Sequence, residues 1–221
     1  MSAWFVAVMA GLFVWAGTGL GERERRYVWG VLLAAVAIRL LAVVALFLIS
    51  EPNVISSFFW DGDGVYLKTR ATTIRAVWIG EPVSPVALSR AFDHGYGWSS
   101  FIYVLAYLQY LIGPAPYGVH LFNVLIFVTS GILMHRIVRP AFGRVPALLG
   151  LGLMLFLPTL LAWSVSALKE SLYLMLNVVA LTAATAIVRS ARWVERLSAV
   201  VVIGTWARAG RARTPRTRPR S

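Results

Sequence analysis

Residues 27–49 read YVWGVLLAAVAIRLLAVVALFLI, 23 residues interrupted by a single charge, Arg39. At about 1.5 Å per residue such a helix spans roughly 35 Å, enough to cross the roughly 30 Å hydrocarbon core of a bilayer. A helix is the form to expect, because lipid offers no partner to exposed backbone N–H and C=O groups. The rest of the chain agrees. Of its 221 residues 59% are apolar and 14% charged, where a soluble domain carries about a quarter charged residues. Further apolar runs lie at about 2–20, 117–135, 145–163 and 170–188. The sequence thus predicts an all-α polytopic transmembrane bundle of about five spans over residues 1–196, followed by a short segment, 197–221.

The net charge of +12 resembles a nucleic-acid signal, but its distribution excludes that reading. The basic groups are nearly all Arg, in short segments beside apolar runs or in the last fourteen residues. Glu22 to Arg26, His135 to Arg144 and Arg189 to Arg196 hold nine Arg between them. Loops rich in Arg stay on the cytoplasmic side. With these three inside, the N-terminus, the large segment 50–116 and the turn from Pro158 to Lys169 face outward. The expected location is a bacterial plasma membrane with the site on the extracytoplasmic side. The run 2–20 lacks a preceding basic region, so it reads as a first span, a removed signal being the alternative. There are no cysteines, which excludes disulfides and thiolate chemistry.

Trp98 to Ile112 (WSSFIYVLAYLQYLI) is apolar but only fifteen residues long and rich in aromatics. It reads as a helix lying in the outer interface, where Trp and Tyr rings favour the headgroup level. A short tilted span is the alternative. Leu197 to Ala207 is apolar but too short to cross, and the six Arg of residues 208–221, mixed with Pro and Thr, predict a segment that does not pack. It could bind anionic headgroups.

Five of the nine acidic residues, Glu51, Asp61, Asp63, Glu81 and Asp93, fall within the large outer segment. Asp61-Gly62-Asp63 sets two carboxylates on a glycine-loosened stretch. Such a pair could hold a divalent cation, act as a general base or share a proton; a solvated turn is the simpler reading. No other cofactor is called for. Lys169-Glu170 stands between two apolar runs. Such a pair serves either as an interfacial anchor or as a phosphate-positioning site. Arg39, deep in its apolar run, should face the bundle interior or a wet cavity, where it could hold a diphosphate or pair with a carboxylate. His94, His120 and His135 show no metal-ligand spacing and read as interfacial or packing groups.

In order along the chain, these features resemble the N-terminal part of the GT-C superfamily of integral membrane glycosyltransferases, nearest the bacterial relatives of protein mannosyltransferases and aminoarabinose transferases. The likeness runs from about Ile38 to Arg192. It rests on Asp61 and Asp63 with Tyr66 and Ala71, on Leu111-Ile112-Gly113 closing the aromatic helix, and on Leu121-Phe122-Asn123 opening a span. That span closes on Arg136-Ile137-Val138-Arg139-Pro140-Ala141-Phe142-Gly143, and Ser166-Ala167-Leu168-Lys169-Glu170 precedes the next. The resemblance implies transfer of a sugar from a polyprenyl-phosphate donor to a glycan, lipid or protein acceptor outside the cytoplasm. It implies Asp63 or Asp61 as base or acceptor-orienting group and Glu170 as a second acidic residue; for that chemistry the cations Lys169 or Arg39 suit the departing phosphate, with Tyr66 beside the carboxylates as a further substrate contact. The family's members carry more spans and a C-terminal part. The rival readings are a transporter or assembly protein without catalysis, and a polysaccharide polymerase or ligase.

Overall fold

Val28, Leu32, Ala35, Val36, Arg39 and Val43 are buried along one stripe of a long helix, while Leu33, Leu41, Val44 and Leu48 are exposed on the rest of its surface. The spacing of four, three, one, three and four residues traces one face of a 3.6-residue helix. The computed structural model of the chain describes residues 2–49, 63–92, 100–113, 117–166 and 168–189, without the side chains of residues 2, 49, 63–65 and 189. Among the described residues every regular element is a helix: α1 (Ser2–Gly17), α2 (Glu22–Ile49), α3 (Asp63–Trp78), α4 (Pro85–Phe92), α5 (Ser100–Ile112), α6 (Gly118–Phe142), α7 (Arg144–Phe156), α8 (Pro158–Val165) and α9 (Glu170–Arg189).

Three helices, Glu22–Leu48, Gly118–Phe142 and Glu170–Val188, are long and apolar enough to cross a membrane. The pair Arg144–Phe156 and Pro158–Val165, bent by 57°, makes a fourth if counted as one broken span. The run expected at 2–20 forms a helix of 16 residues, about 24 Å long and short of the hydrocarbon thickness. Two stretches expected as loops are helical instead. The charged Glu22–Arg26 turn opens α2, with Glu22 accepting from Arg26 one turn on. Residues 136–142 extend α6 until Gly143, whose φ of 89° ends it. Long Arg side chains can reach the interface without breaking their helix.

The break at Leu157 follows from Pro158. Proline supplies no N–H and pushes the residue before it out of the helical region; Leu157 is extended, with φ −60° and ψ 124°. The last carbonyls of α7 are left without helical partners. Arg39 meets one of them: its Nη2 donates to Leu155 O at 2.8 Å, its Nε to Ser164 Oγ of α8 at 2.8 Å and its Nη1 to Ala35 O at 3.1 Å. The guanidinium lies 4.8 Å from the Phe127 ring centre of α6 and is 0% exposed. It therefore ties four helices together. A central arginine costs about 2.5–3.5 kcal/mol on insertion scales, and two hydrogen bonds from a charged donor, at about 1.5–3 kcal/mol each, are enough to offset that. The cation also faces the negative end of the α7 dipole.

α6 meets the chain from the end of α8 into α9 in constant register: His120 meets Val165 of α8, Asn123 meets Leu168 of the linker and Ser130 meets Met175 of α9, each pair 45 residues apart. α6 and α9 pack directly on each other, and the broken pair α7–α8 that links them along the chain packs on α6 and α2. At the far end Arg139 grips Glu24 of α2 through Nε–Oε1 at 2.8 Å and Nη2–Oε2 at 2.9 Å, the bidentate geometry that favours Arg over Lys. Arg136 donates through Nη2 to Trp15 O at 2.7 Å at the end of α1.

Removing the Arg39 side chain leaves Leu155 O and Ser164 Oγ buried with one partner fewer. Arg39→Met should lower the thermal midpoint of the detergent-solubilised chain by roughly 3–10 °C. Ser164→Ala should then cost less in the Arg39→Met background than in the native one. Equal losses in both backgrounds would show that the two side chains act independently.

Candidate functional site

The first turns of α6 carry two polar side chains three residues apart, His120 and Asn123, on one helix face. Both are buried against the linker from α8 to α9. That linker begins where Ser166 turns extended, with φ −74° and ψ 163°, so its carbonyls have no helical partner. His120 Nδ1 lies 2.6 Å from Val165 O; a carbonyl only accepts, so Nδ1 carries the proton. Asn123 Nδ2 donates to Ser166 O at 2.6 Å and to Leu168 O at 2.8 Å. Ser166 Oγ closes the turn onto Trp163 O at 2.8 Å. An apolar helix thus pins the chain immediately before Lys169 and Glu170.

Glu170 opens α9, where a carboxylate complements the positive end of the helix dipole. Its Oε2 is buried and accepts no hydrogen bond from the described residues; Ser171 Oγ beside it and Asn123 Oδ1 are in the same position. Unengaged buried polar atoms cost about 1–3 kcal/mol each, so three of them around one linker mark a place suited to a donor-bearing ligand. Lys169, partly buried, sets its Nζ 5.8 Å from the Tyr173 ring centre.

α3 and α5 share a buried cluster with the same linker. Leu67, Ala71 and Ile74, spaced as one helix face, join Phe101, Ile102, Leu105 and Ala106 of α5 in a buried cluster that also holds Val119 and Leu168. Leu168 thereby connects the helix that begins at Asp63 with the linker that ends at Glu170. Tyr66 Oη accepts from Arg70 Nη1 at 2.7 Å, and the buried Arg70 donates through Nε and Nη2 to Ala91 O at the end of α4, at 3.1 and 2.9 Å. Lys68 is half-buried at the foot of this helix, close enough to His120 for their charges to interact. Burial pushes its pKa below the ordinary lysine value.

Of the residues singled out from sequence, Tyr66, Lys169 and Glu170 belong to elements gathered at this end of the bundle. Asp63 begins α3, with its side chain outside the described set, and Asp61 lies outside the described residues. The expected divalent cation would fall on those two carboxylates; among the described residues no three His, Asp or Glu side chains form a ligand set. Arg39 faces the bundle interior, one of the two placements read from the sequence. Its guanidinium is fully buried and engaged by protein groups, so it does not present itself to a phosphate. His120, Asn123 and Arg70 build the site without having been singled out for it. Only the spacing of His120 and Asn123, two polar groups on one face of a span, signals them.

Fold and site together define a helical integral membrane protein with a polar, side-chain-pinned break at one end of its bundle. Compared with family models, curated proteins and solved structures, the chain has no match.

The depressed pKa of Lys68 has a stability consequence. The folded state resists the charged form, so its penalty is complete below the folded pKa and disappears as pH rises through that value towards the unfolded 10.5. Lys68→Met should raise the thermal midpoint by roughly a degree or two at pH 7 and by less near pH 10. A midpoint that drops at pH 7 would show that the ammonium contributes stabilising contacts.

Proposed function

We propose that the chain is a membrane glycosyltransferase, or the N-terminal part of one, that transfers a sugar from a polyprenyl phosphate to an acceptor on the extracytoplasmic side. The observation that supports it is the cluster through Leu67 and Leu168. Through it α3, the helix that begins at Asp63, and the pinned linker before Lys169 and Glu170 share one buried core. These are the two segments on which the likeness to the GT-C superfamily rests. In this reading α1 and the α7–α8 pair complete five passes, and α5 lies in the outer interface with Tyr103, Tyr107 and Tyr110 exposed.

The chemistry suits these groups. Polyprenyl phosphate leaves readily, so the acceptor hydroxyl needs placement and loss of its proton. Asp63 or Asp61 takes that proton as the hydroxyl oxygen attacks the anomeric carbon and the bond to phosphate breaks. Lys169, with Lys68 close to His120, stabilises the departing phosphate charge. Glu170 Oε2 accepts from a sugar hydroxyl. Attack opposite the leaving group inverts the anomeric centre.

The broken span supports a second reading, a transporter, since discontinuous helices mark many transporter sites. In such a protein the break faces its substrate. Here Arg39 fills the break and is bonded to Leu155 and Ser164. Uptake of a solute by proteoliposomes, unaffected by Asp63→Asn, would favour the transporter.

Asp63→Asn or Asp61→Asn should reduce transfer from a panel of polyprenyl-phosphate sugars by about 10²–10⁴-fold without lowering membrane insertion. Glu170→Gln should reduce it less. Transfer that survives both Asp substitutions would leave the segment with a structural role alone.

Sidedness has its own check, made clean by a chain without cysteine. A cysteine in place of the exposed Ser84 should react with an impermeant maleimide in intact cells, and one in place of Arg26 only after permeabilisation. The reverse pattern would invert the topology.

A further inference from the structure

At the end of the bundle remote from Glu170, a cavity of about 300 Å³ opens between the last turns of α1, α6 and α9. Its wall is mostly apolar, with Trp15, Leu133 and Ile137 contributing, and its polar groups are Arg136, Thr182 and Thr185. Arg136 is held rigidly: Nη2 donates to Trp15 O at 2.7 Å and also reaches Thr18, and the guanidinium stacks 4.6 Å from the Trp15 ring centre. Its Nε and Nη1 have no hydrogen-bond partner among the described residues, and no carboxylate there pairs with it. Arg139, one turn away, is neutralised by Glu24. The two threonine hydroxyls donate to carbonyls of their own helix, Thr182 to Val178 O and Thr185 to Thr182 O, at 2.7 and 2.8 Å. Towards the cavity they therefore offer acceptors only.

We propose that this cleft binds an anionic glycerophospholipid of the surrounding bilayer. One acyl chain lies along the apolar wall, the phosphate takes the free donors of Arg136, and headgroup hydroxyls donate to Thr182 and Thr185. The combination selects the ligand. A free phosphate gains nothing from the apolar wall, and a zwitterionic lipid sets its own ammonium beside an arginine. A helix from a second copy would cover two guanidinium nitrogens without satisfying them. Basic pockets between spans at the arginine-rich side of membrane proteins are suited to anionic headgroups. The cleft is independent of the linker site at the other end, so this inference stands whether or not the chain transfers sugars.

Native mass spectrometry of the full chain, loaded with phosphatidylglycerol or phosphatidylcholine of the same acyl length, tests it. Phosphatidylglycerol should be retained with an affinity about five-fold higher or more, the electrostatic contribution of one arginine at a membrane surface. Glycerol phosphate without chains should not compete. Ala186→Phe fills the cleft, leaves the Arg136 contacts in place and should abolish the preference. Arg136→Gln should do the same, and Arg136→Lys should keep part of it. Since Arg136 also holds the end of α1, Ala186→Phe decides the matter if Arg136→Gln does not fold. Deleting residues 208–221 should leave the preference intact. Equal affinity for the two lipids, a preference untouched by Ala186→Phe, or one lost with the 208–221 deletion would each overturn the proposal, the last by moving the lipid to the arginine-rich segment.

Discussion

A guanidinium placed in the break of a helix is the interaction on which this bundle depends. Pro158 interrupts the span that begins at Arg144, and an interrupted span carries backbone carbonyls that lipid cannot satisfy. Arg39 is costly in the membrane for the converse reason, having donors and no water. Each defect answers the other at Leu155 and Ser164, with Phe127 covering the cation. An unkinked α7–α8 would leave Arg39 with only Ala35 O of its own helix as acceptor, and a neutral residue at 39 would leave the kink open. The position and angle of α8 follow from this pairing, and the linker that leaves α8 starts where the pairing puts it.

From there the site is a matter of backbone held by side chains. α6 is the common scaffold: Phe127 faces the break, His120 and Asn123 hold the linker, Ser130 meets α9, and Arg136 and Arg139 secure α1 and α2. A polar segment fixed by a rigid helix can present Lys169 and Glu170 in one geometry, which loops alone do poorly. The cluster around Leu168 extends the same rigidity to α3. Residues separated by about a hundred positions along the chain are brought to one end of the bundle without a soluble domain among the described residues.

Hydropathy made the spans at 27–49, 117–135 and 170–188 legible, because burying twenty apolar residues in lipid leaves a signal that does not depend on neighbours. It misjudged the ends. The Glu22–Arg26 turn and residues 136–142 look like loops by charge, yet helical hydrogen bonding continues wherever long side chains reach polar surroundings. It also carried the apolar run to 163 while a turn was read from Pro158, since a window average does not see a single missing N–H; the chain stays helical on both sides of Leu157. The buried face of α2 was marked by Arg39 alone. In a membrane helix both faces are apolar, so periodicity does not tell lipid from protein, and the groups that receive Arg39 lie far along the chain. Glu170 was readable as a carboxylate beside a span. The support it receives from Asn123 was not, because that contact arises from a register between α6 and the chain leading into α9 that no local pattern encodes. The site role of Asp61 falls outside the described residues.

The partners of Arg39 lie 116 and 125 residues later in the chain. At synthesis rates of about 5–20 residues per second, α2 emerges roughly 6–25 seconds before the break that receives its charge exists. Throughout that interval the helix holds an arginine near its centre with only Ala35 of its own backbone as acceptor. Dwelling in the hydrated, protein-lined vicinity of the insertion machinery costs it less than release into bare lipid. Assembly is therefore ordered in time: α2 is early to appear and late to settle, and α7–α8 releases it.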